Sequence, residues 1–503
     1  MKRVFALLTL LATLAACDEK DNPTPDPTPV APTAITLSPG SISAPQAGGS
    51  YSLTITAPAR PALSLPSWVT KTDGTFNNYK ITVTLSVAPN DTYEARSADV
   101  TVSATGASAV TLKLTQEGKT VIPDPTLPDN AAVKRSLELG IGWNMGNQLD
   151  AINNGVSDET CWGNPKATQA TFDGVKAAGF KSVRIPVTWQ GHIGEAPDYA
   201  IEEAWMNRVY EVVGYAENAG LNVILNTHHD EDHGEGHWQN LKAAVDNSDT
   251  NAQIKEEIAA VWKQIAQKFQ DKGDWLMFES FNELIYGTDW SIGSNPEKKA
   301  GIINEWNQVF VDAVRATGGN NATRWLGVPG YAANPSYLQY FSLPTDAASK
   351  VMVAFHCYDP YDYTIGDKQL PNWGHTGTSY PKGEEEMKEL FNSLYTNYIA
   401  KNIPIYMGEF GCSFRAKSDA KAWSYFLYYL EYVSKAARVF GLPAFLWDNG
   451  AEGSGKECHA YIHHGTGSYI GSSEEAVKAI IKGWTTTDAA YTLQSVYDAA
   501  PQY

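Results

Sequence analysis

From Leu139 onward, eight short apolar segments recur, each ending on hydrogen-bonding or aromatic residues or on a turn. They are LGIGWNMGN (139–147), FKSVRIPVTW (180–189), LNVILNTHHD (221–230), LMFESFNE (276–283), RWLGVPG (324–330), VMVAFHCYD (351–359), PIYMGEFG (404–411) and AFLWDNG (444–450). Between them lie stretches with apolar residues at helical spacing, such as QATFDGVKAAG, MNRVYEVVGYAENAG, IKEEIAAVWKQIAQKF and INEWNQVFVDAVRATG, several ending on Gly as helix C-termini do. From Met145 to Trp447 the step is roughly 43 residues, the spacing of strand–helix units that close into a (β/α)8 TIM barrel. An open doubly wound sheet is the alternative, but eight units without a glycine-rich phosphate loop argue against it.

In such a barrel the C-terminal strand ends share one mouth, where catalytic side chains sit. This chain places Asn147, Arg184, His228, His229, Asn282, Glu283, His356, Tyr358, Glu409 and Trp447 there. Core packing alone has no use for amides, imidazoles and carboxylates at the ends of apolar strands. Glu283 on the fourth segment and Glu409 on the seventh can face each other across the ring. Paired carboxylates across a cleft suit glycosidic bond cleavage, one protonating the leaving oxygen and the other acting ionised. Arg184 is the cation that would favour the ionised form.

Seven motifs in order, IGWNMGNQLDA, RIPVTW, NTHHD, FNE, HCYDP, GEFG and LWDNG, resemble the family-5 glycoside hydrolases, most of all the branch of endo-glucanases and xyloglucanases, over roughly residues 131 to 500. The resemblance implies a retaining endo-β-1,4-glucanase acting on cellulose-type, mixed-linkage or xyloglucan chains, with a xyloglucan specialist as the nearest alternative. It implies Glu283 as general acid/base and Glu409 as nucleophile, with Arg184, His228, Asn282, His356 and Tyr358 in support and Trp447 under a sugar ring. Met145 and Gln148 stand where Leu and Thr are common in the family, and neither transfers protons. Asn147, His229, Trp189 and Trp373 are further candidates for substrate contact. No cofactor or metal is expected, and the β-glucan polymer is the expected partner of a monomeric enzyme.

The aromatics near strand ends, Trp162, Trp189, Trp238, Trp290, Tyr361, Tyr363 and Trp373, are candidate sugar platforms, with packing as the competing role. Trp262 and Trp306 lie in helical patterns and are expected in the core. The stretch HHDEDHGEGHW (228–238) gathers His228, His229, His233 and His237 with acids between them. It lacks the helical H-E-x-x-H arrangement, and its two Gly mark a loop rather than a metal-binding helix. The segment 359–381 is a long loop after the sixth strand, expected to wall the cleft.

Upstream of the barrel the chain changes character. Residues 1–17 carry Lys2 and Arg3, an apolar run too short to span a bilayer, and Leu14-Ala15-Ala16-Cys17. This resembles a bacterial lipobox, with Cys17 as the lipidation site, and Asp18-Glu19-Lys20-Asp21 resembles the export signal of Bacteroidetes surface lipoproteins. The lipid would be the only membrane attachment, placing the protein on the outer membrane and facing outward. Residues 18–33 form a Pro-rich tether. Residues 34–118 alternate apolar and polar residues in short runs rich in Thr, Val and Ser, the signature of a small all-β, immunoglobulin-like sandwich. LSLPSWVTKTDG and the segments after it resemble the BACON domain, whose family name implies carbohydrate binding. Trp68 sits in an apolar alternation and is expected to pack rather than bind sugar. Residues 119–130 are a second Pro-Asp linker, and 131–503 the catalytic barrel.

The net charge of −18 excludes a nucleic-acid binder, which needs a basic face, and suits a neutral polymer. Beyond Cys17 there are Cys161, Cys357, Cys412 and Cys458, too few for a disulfide scaffold, and no bridge is expected.

Overall fold

The computed structural model describes residues 30–92, 94–118 and 123–503. The leader 1–17 with Cys17, and the tether up to residue 29, lie outside the described residues, as do 119–122 of the linker. The chain divides into two compact units, one up to Val121 and one from Ile122.

The first unit is a two-sheet sandwich. Thr36–Ser38, Gly49–Thr56, Lys80–Val87 and Val69–Asp73 form one sheet in that order; Ser41–Ala44, Ala107–Gln116, Arg96–Ala104 and Ala62–Ser64 form the other. Strict alternation builds it: in Lys80–Val87 the residues Ile81, Val83, Leu85 and Val87 are buried, while Lys80, Thr82, Thr84 and Ser86 face water. Leu53, Ile55, Val100, Val102, Leu112 and Leu114 complete the core. Trp68 packs on that core, half-buried, with the Arg96 guanidinium 4.4 Å from its ring centre.

The second unit is a closed barrel of eight parallel strands. In chain order they are Ile141–Asn144, Ser182–Ile185, Asn222–Asn226, Leu276–Glu279, Leu326–Pro329, Val351–Cys357, Ile405–Phe410 and Ala444–Leu446. Almost every strand residue is buried, because helices cover the outside and side chains fill the inside. The four helices read from periodicity are present as Gln169–Ala177, Glu203–Asn218, Ser248–Lys268 and Pro296–Ala316. Trp262 and Trp306 are fully buried beneath them. Between the fifth and sixth strands the helix is reduced to 3-10 turns, Tyr331–Ala333 and Pro335–Tyr340.

A separate inner cluster fills the barrel: Leu139, Ile224, Met277, Met352, Ala354, Tyr406 and Phe445. Two glycines make room for its largest members. A Cβ at Gly142 would lie 2.2 Å from the Phe445 ring, and one at Gly327 would lie 2.1 Å from the Tyr406 hydroxyl. Tyr406 can therefore lie across the interior and point its hydroxyl towards the mouth.

Cys161, Cys357, Cys412 and Cys458 are free thiols. Among the described residues no helix is long and apolar enough to cross a membrane.

Candidate active site

The site is organised around one buried cation. Arg184, inside the second strand, is fully buried. Its Nη2 and Nε donate to Glu279 Oε1 at 2.7 and 3.0 Å, and its Nη1 donates to Glu409 Oε1 at 2.7 Å. The remaining donor capacity goes to Asn144 Oδ1 (3.1 Å) and Asn282 Oδ1 (2.9 Å). Glu279, at the end of the fourth strand, also accepts from Asn226 Nδ2 at 3.0 Å and from the Tyr406 hydroxyl. Burial works against the Arg184 charge, but Glu279 and Glu409 outweigh it and raise its proton affinity. Burial would likewise raise Glu279, yet Arg184 more than offsets this and holds the carboxyl below its ordinary range.

Above this base lie the two predicted carboxylates. Glu409 Oε2 accepts the Tyr358 hydroxyl at 3.0 Å. Glu283 Oε1 is 2.7 Å from His356 Nδ1, which also lies 3.7 Å from Glu409 Oε2. One oxygen of Glu283, one of Glu409 and a ring nitrogen of His356 all lie within 4.8 Å of one another. Burial opposes a proton on His356, but the charges of Glu409 and Glu283 prevail and raise its pKa. Burial, reinforced by Glu409 and Glu283, pushes the Tyr358 hydroxyl far above its ordinary value, so it stays a donor. Gly408 lets the sixth-strand histidine in: a Cβ there would meet the His356 ring at 3.1 Å.

The third strand supplies the other wall. His228 is buried and stacks parallel to Trp447, ring centres 5.9 Å apart. Burial, then the nearby His229 and Arg184, keep His228 uncharged. Gly146 clears space for that tryptophan, since a Cβ there would lie 2.6 Å from its ring. Asp150 sits 3.9 Å from His228 and 3.8 Å from His229, and burial pushes its carboxyl up to about 7 against the pull of main-chain N–H groups at Gln148 and Asn147. Beside them opens a cleft of about 610 Å³ lined by residues 152–155, Trp162, His229, Glu231, His233, Glu235 and His237. Among the described residues, the side-chain groups close enough to share a cation are Asp150–His228–His229 and Glu283–His356–Glu409, and both belong to this same mouth.

Residues 147–453 match the family model described as Cellulase (glycosyl hydrolase family 5), and residues 64–117 match the BACON domain model. The chain belongs to glycosyl hydrolase family 5. It is 36% identical over 372 residues to Endoglucanase A of Paenibacillus barcinonensis, covering 70% of this chain and 90% of that one. It is 35% identical over 430 residues to a xyloglucan-specific endo-beta-1,4-glucanase of Bacteroides ovatus, covering 80% and 83%. A solved Bacteroidetes-affiliated GH5 cellulase linked with a polysaccharide utilization locus is 47% identical, with a TM-score of 0.72 over 74% of this chain and 98% of that chain.

Within this family-5 domain, Arg184, His228, Asn282, Glu283, His356, Tyr358, Glu409 and Trp447 converge on the mouth, and His229 lines the adjoining cleft. Asn147 is at the rim with φ 54°, and what it contributes is main chain: its N–H meets Asp150 Oδ2 and its carbonyl accepts from Asn164. Two expected substrate contacts are corrected. Trp189 is fully buried, its indole N–H donating to the Asn226 carbonyl. Trp373 is fully buried among Tyr363, Tyr428, Tyr429 and Tyr432, mostly on helix Ala420–Phe440. Its loop folds back onto that helix, and this packing consumes the ring. Tyr363 is buried with it. Trp162, Trp290 and Tyr361 remain exposed and available as platforms.

Three residues escaped the sequence reading. Glu279 and Tyr406 lie inside apolar strand runs, and Glu231 lies in a loop where acids are ordinary. A charged residue within a buried strand is itself a signal, since it must find a partner.

Proposed function

We propose that this family-5 hydrolase is a retaining endo-β-1,4-glucanase that cleaves internal bonds of β-glucan chains, with Glu409 as nucleophile and Glu283 as acid/base. The observation that carries the mechanism is the approach of the Glu283 and Glu409 carboxylate oxygens to within 4.8 Å. Retaining enzymes hold their carboxyls about 5–5.5 Å apart, whereas inverting ones need about 6.5–9.5 Å to admit a water.

The chemistry follows from the hydrogen bonds. Arg184 and Tyr358 each donate to one oxygen of Glu409 and hold the carboxyl aimed into the mouth. Glu409 attacks the anomeric carbon, the bond to the leaving oxygen breaks, and Glu283 gives that oxygen its proton. Once the glycosyl ester forms, Glu409 is no longer an anion; Glu283 then takes a proton from water as the water oxygen bonds the anomeric carbon, and the bond to Glu409 breaks to release the sugar and return the carboxylate. His356 spans both carboxylates and follows the charge between them. The amide of Asn282, fixed by Arg184 through its oxygen, presents N–H to the sugar hydroxyl beside the reacting carbon. Trp447 offers a flat face to a pyranose ring.

A second reading, preference for xyloglucan, is favoured by the similarity to the xyloglucan-specific relative, which extends over 80% of the chain. Initial rates of reducing-end release on xyloglucan, mixed-linkage β-glucan and carboxymethylcellulose, beside Glu283→Ala and Glu409→Ala, decide between the two. Comparable rates on linear chains support the general glucanase. A lead of orders of magnitude on xyloglucan supports the specialist. Cleavage by either variant at wild-type rates defeats the assignment of the pair.

The lipobox-like Leu14-Ala15-Ala16-Cys17 supports attachment to the outer membrane by an acylated Cys17, with the tether and the sandwich between lipid and barrel. Incorporation of labelled palmitate by the wild type but not by Cys17→Ala is the expected result.

A further inference from the structure

In the stretch 228–238 the three acids Asp230, Glu231 and Asp232 are each occupied by N–H donors. Asp230 accepts the Trp189 main-chain N–H at 2.9 Å and the Trp238 indole at 2.8 Å. Asp232 accepts the main-chain N–H groups of Gly234, Glu235 and Gly236 at 2.8, 2.6 and 2.8 Å, which locks the loop after the third strand. Glu231, between them, reaches the fourth strand. Its Oε1 accepts Asn282 Nδ2 at 3.0 Å, and its Oε2 accepts the main-chain N–H of Glu283 at 3.0 Å.

We propose that Glu231 is a positioning residue for the reaction, which clamps Asn282 and Glu283 together from the third-strand loop. The proposal rests on the reading of Glu283 as acid/base. Asn282 is gripped at both ends of its amide: Arg184 donates to its oxygen and Glu231 accepts from its nitrogen. The amide therefore cannot flip, and one of its N–H bonds stays free for substrate. The second Glu231 oxygen pins the backbone from which Glu283 projects, while His356 holds the far end of that side chain. Glu231 is itself buried. Burial pushes its carboxyl well above the ordinary range, and the N–H groups of Asn282 and Glu283 pull it back. The clamp needs its two donors as much as they need it. His233, 3.8 Å away, and Asp230 are its other ionisable neighbours.

Two donors facing two oxygens give a chemical test. Glutamine has the same size but only one acceptor, so Glu231→Gln must set an N–H against an N–H at one end. Aspartate keeps two carboxyl oxygens but is too short for both donors. Both residues held by Glu231 act on the transition state, so the loss should fall on kcat. In the full chain, Glu231→Gln and Glu231→Asp are expected to lower kcat on barley β-glucan at least about ten-fold, with KM within about two-fold. The count of active sites labelled by a dinitrophenyl 2-deoxy-2-fluoro-cellobioside, read by mass, should match wild type and shows that the loss is not a misfolded fraction. A wild-type kcat in both variants, a loss carried wholly by KM, or a loss matched by missing active sites overturns the proposal. In parallel, azide should restore turnover of an activated aryl cellobioside by Glu283→Ala. Failure of that rescue overturns the acid/base reading beneath the proposal, whereas rescue together with an unaffected Glu231→Gln overturns the clamp alone.

Discussion

Glu279 takes the Nη2 and Nε edge of the Arg184 guanidinium at 2.7 and 3.0 Å, leaving only Nη1 for Glu409. One buried cation is thus shared between a carboxylate that never meets substrate and one that must. The division keeps Arg184 neutralised when Glu409 becomes an ester, so the base of the site need not reorganise during the reaction.

Removing Glu279 leaves Arg184 buried with a single carboxylate partner, Glu409, beside the amide oxygens of Asn144 and Asn282. Glu279→Ala is expected to lose about 3–5 kcal/mol of stability, the usual result of breaking a buried ion pair. Glu279→Gln, which keeps the shape, should lose less. Chemical denaturation followed by tryptophan fluorescence measures both.

Glu283→Ala should lower kcat on polymer by about 10²–10⁴-fold, the contribution of a positioned general acid/base, without lowering the melting temperature. Its side chain is partly open to the cleft and contributes little packing.

His356 gives a pH signature. Its folded pKa is raised above the unfolded value of about 6.5 because the charges of Glu409 and Glu283 outweigh burial. Protonation of His356 then stabilises the fold fully below about pH 6.5, and this contribution is lost as pH rises through the higher folded value. The stability gap between wild type and His356→Asn should be widest near pH 5.5 and narrow towards pH 9, as read from urea unfolding at each pH.

Two tryptophans should behave in opposite ways. Trp373→Ala empties a closed aromatic cluster and is expected to cost about 3–5 kcal/mol of stability. Trp162→Ala, at a ring 44% exposed on the cleft wall, should leave the melting temperature unchanged and raise KM on polymer several-fold, as expected from losing a stacking contact of about 0.5–1.5 kcal/mol. Melting curves and Michaelis plots of the two variants separate platform from core.

The contrast shows what a linear chain discloses. The repeating strand–helix step and the polar strand ends were visible because a barrel forces its mouth residues to the same place in every unit. Glu283 and Glu409 could be read for that reason. Trp189 and Trp373 were misjudged because nearness to a strand end says nothing of which way a ring turns, and both rings turn inward onto a carbonyl or a tyrosine cluster. Glu231 was hidden for the converse reason: its role depends on a loop that Asp232 locks into place, a tertiary event with no periodicity. The missing fifth helix was equally silent, since the short turns that replace it carry the same mixture of residues as any connection.

The bare backbone at Gly327 binds two histories together. The Tyr406 ring occupies the space a side chain there would need, and its hydroxyl ends on Glu279, the partner of Arg184. A mutation that enlarges residue 327 meets the Tyr406 hydroxyl first and the Met277 methyl next, and trimming Tyr406 to admit it strips a donor from beneath the nucleophile's cation. In descendants of this chain the filling of the barrel and the charge balance of its mouth must drift as one trait.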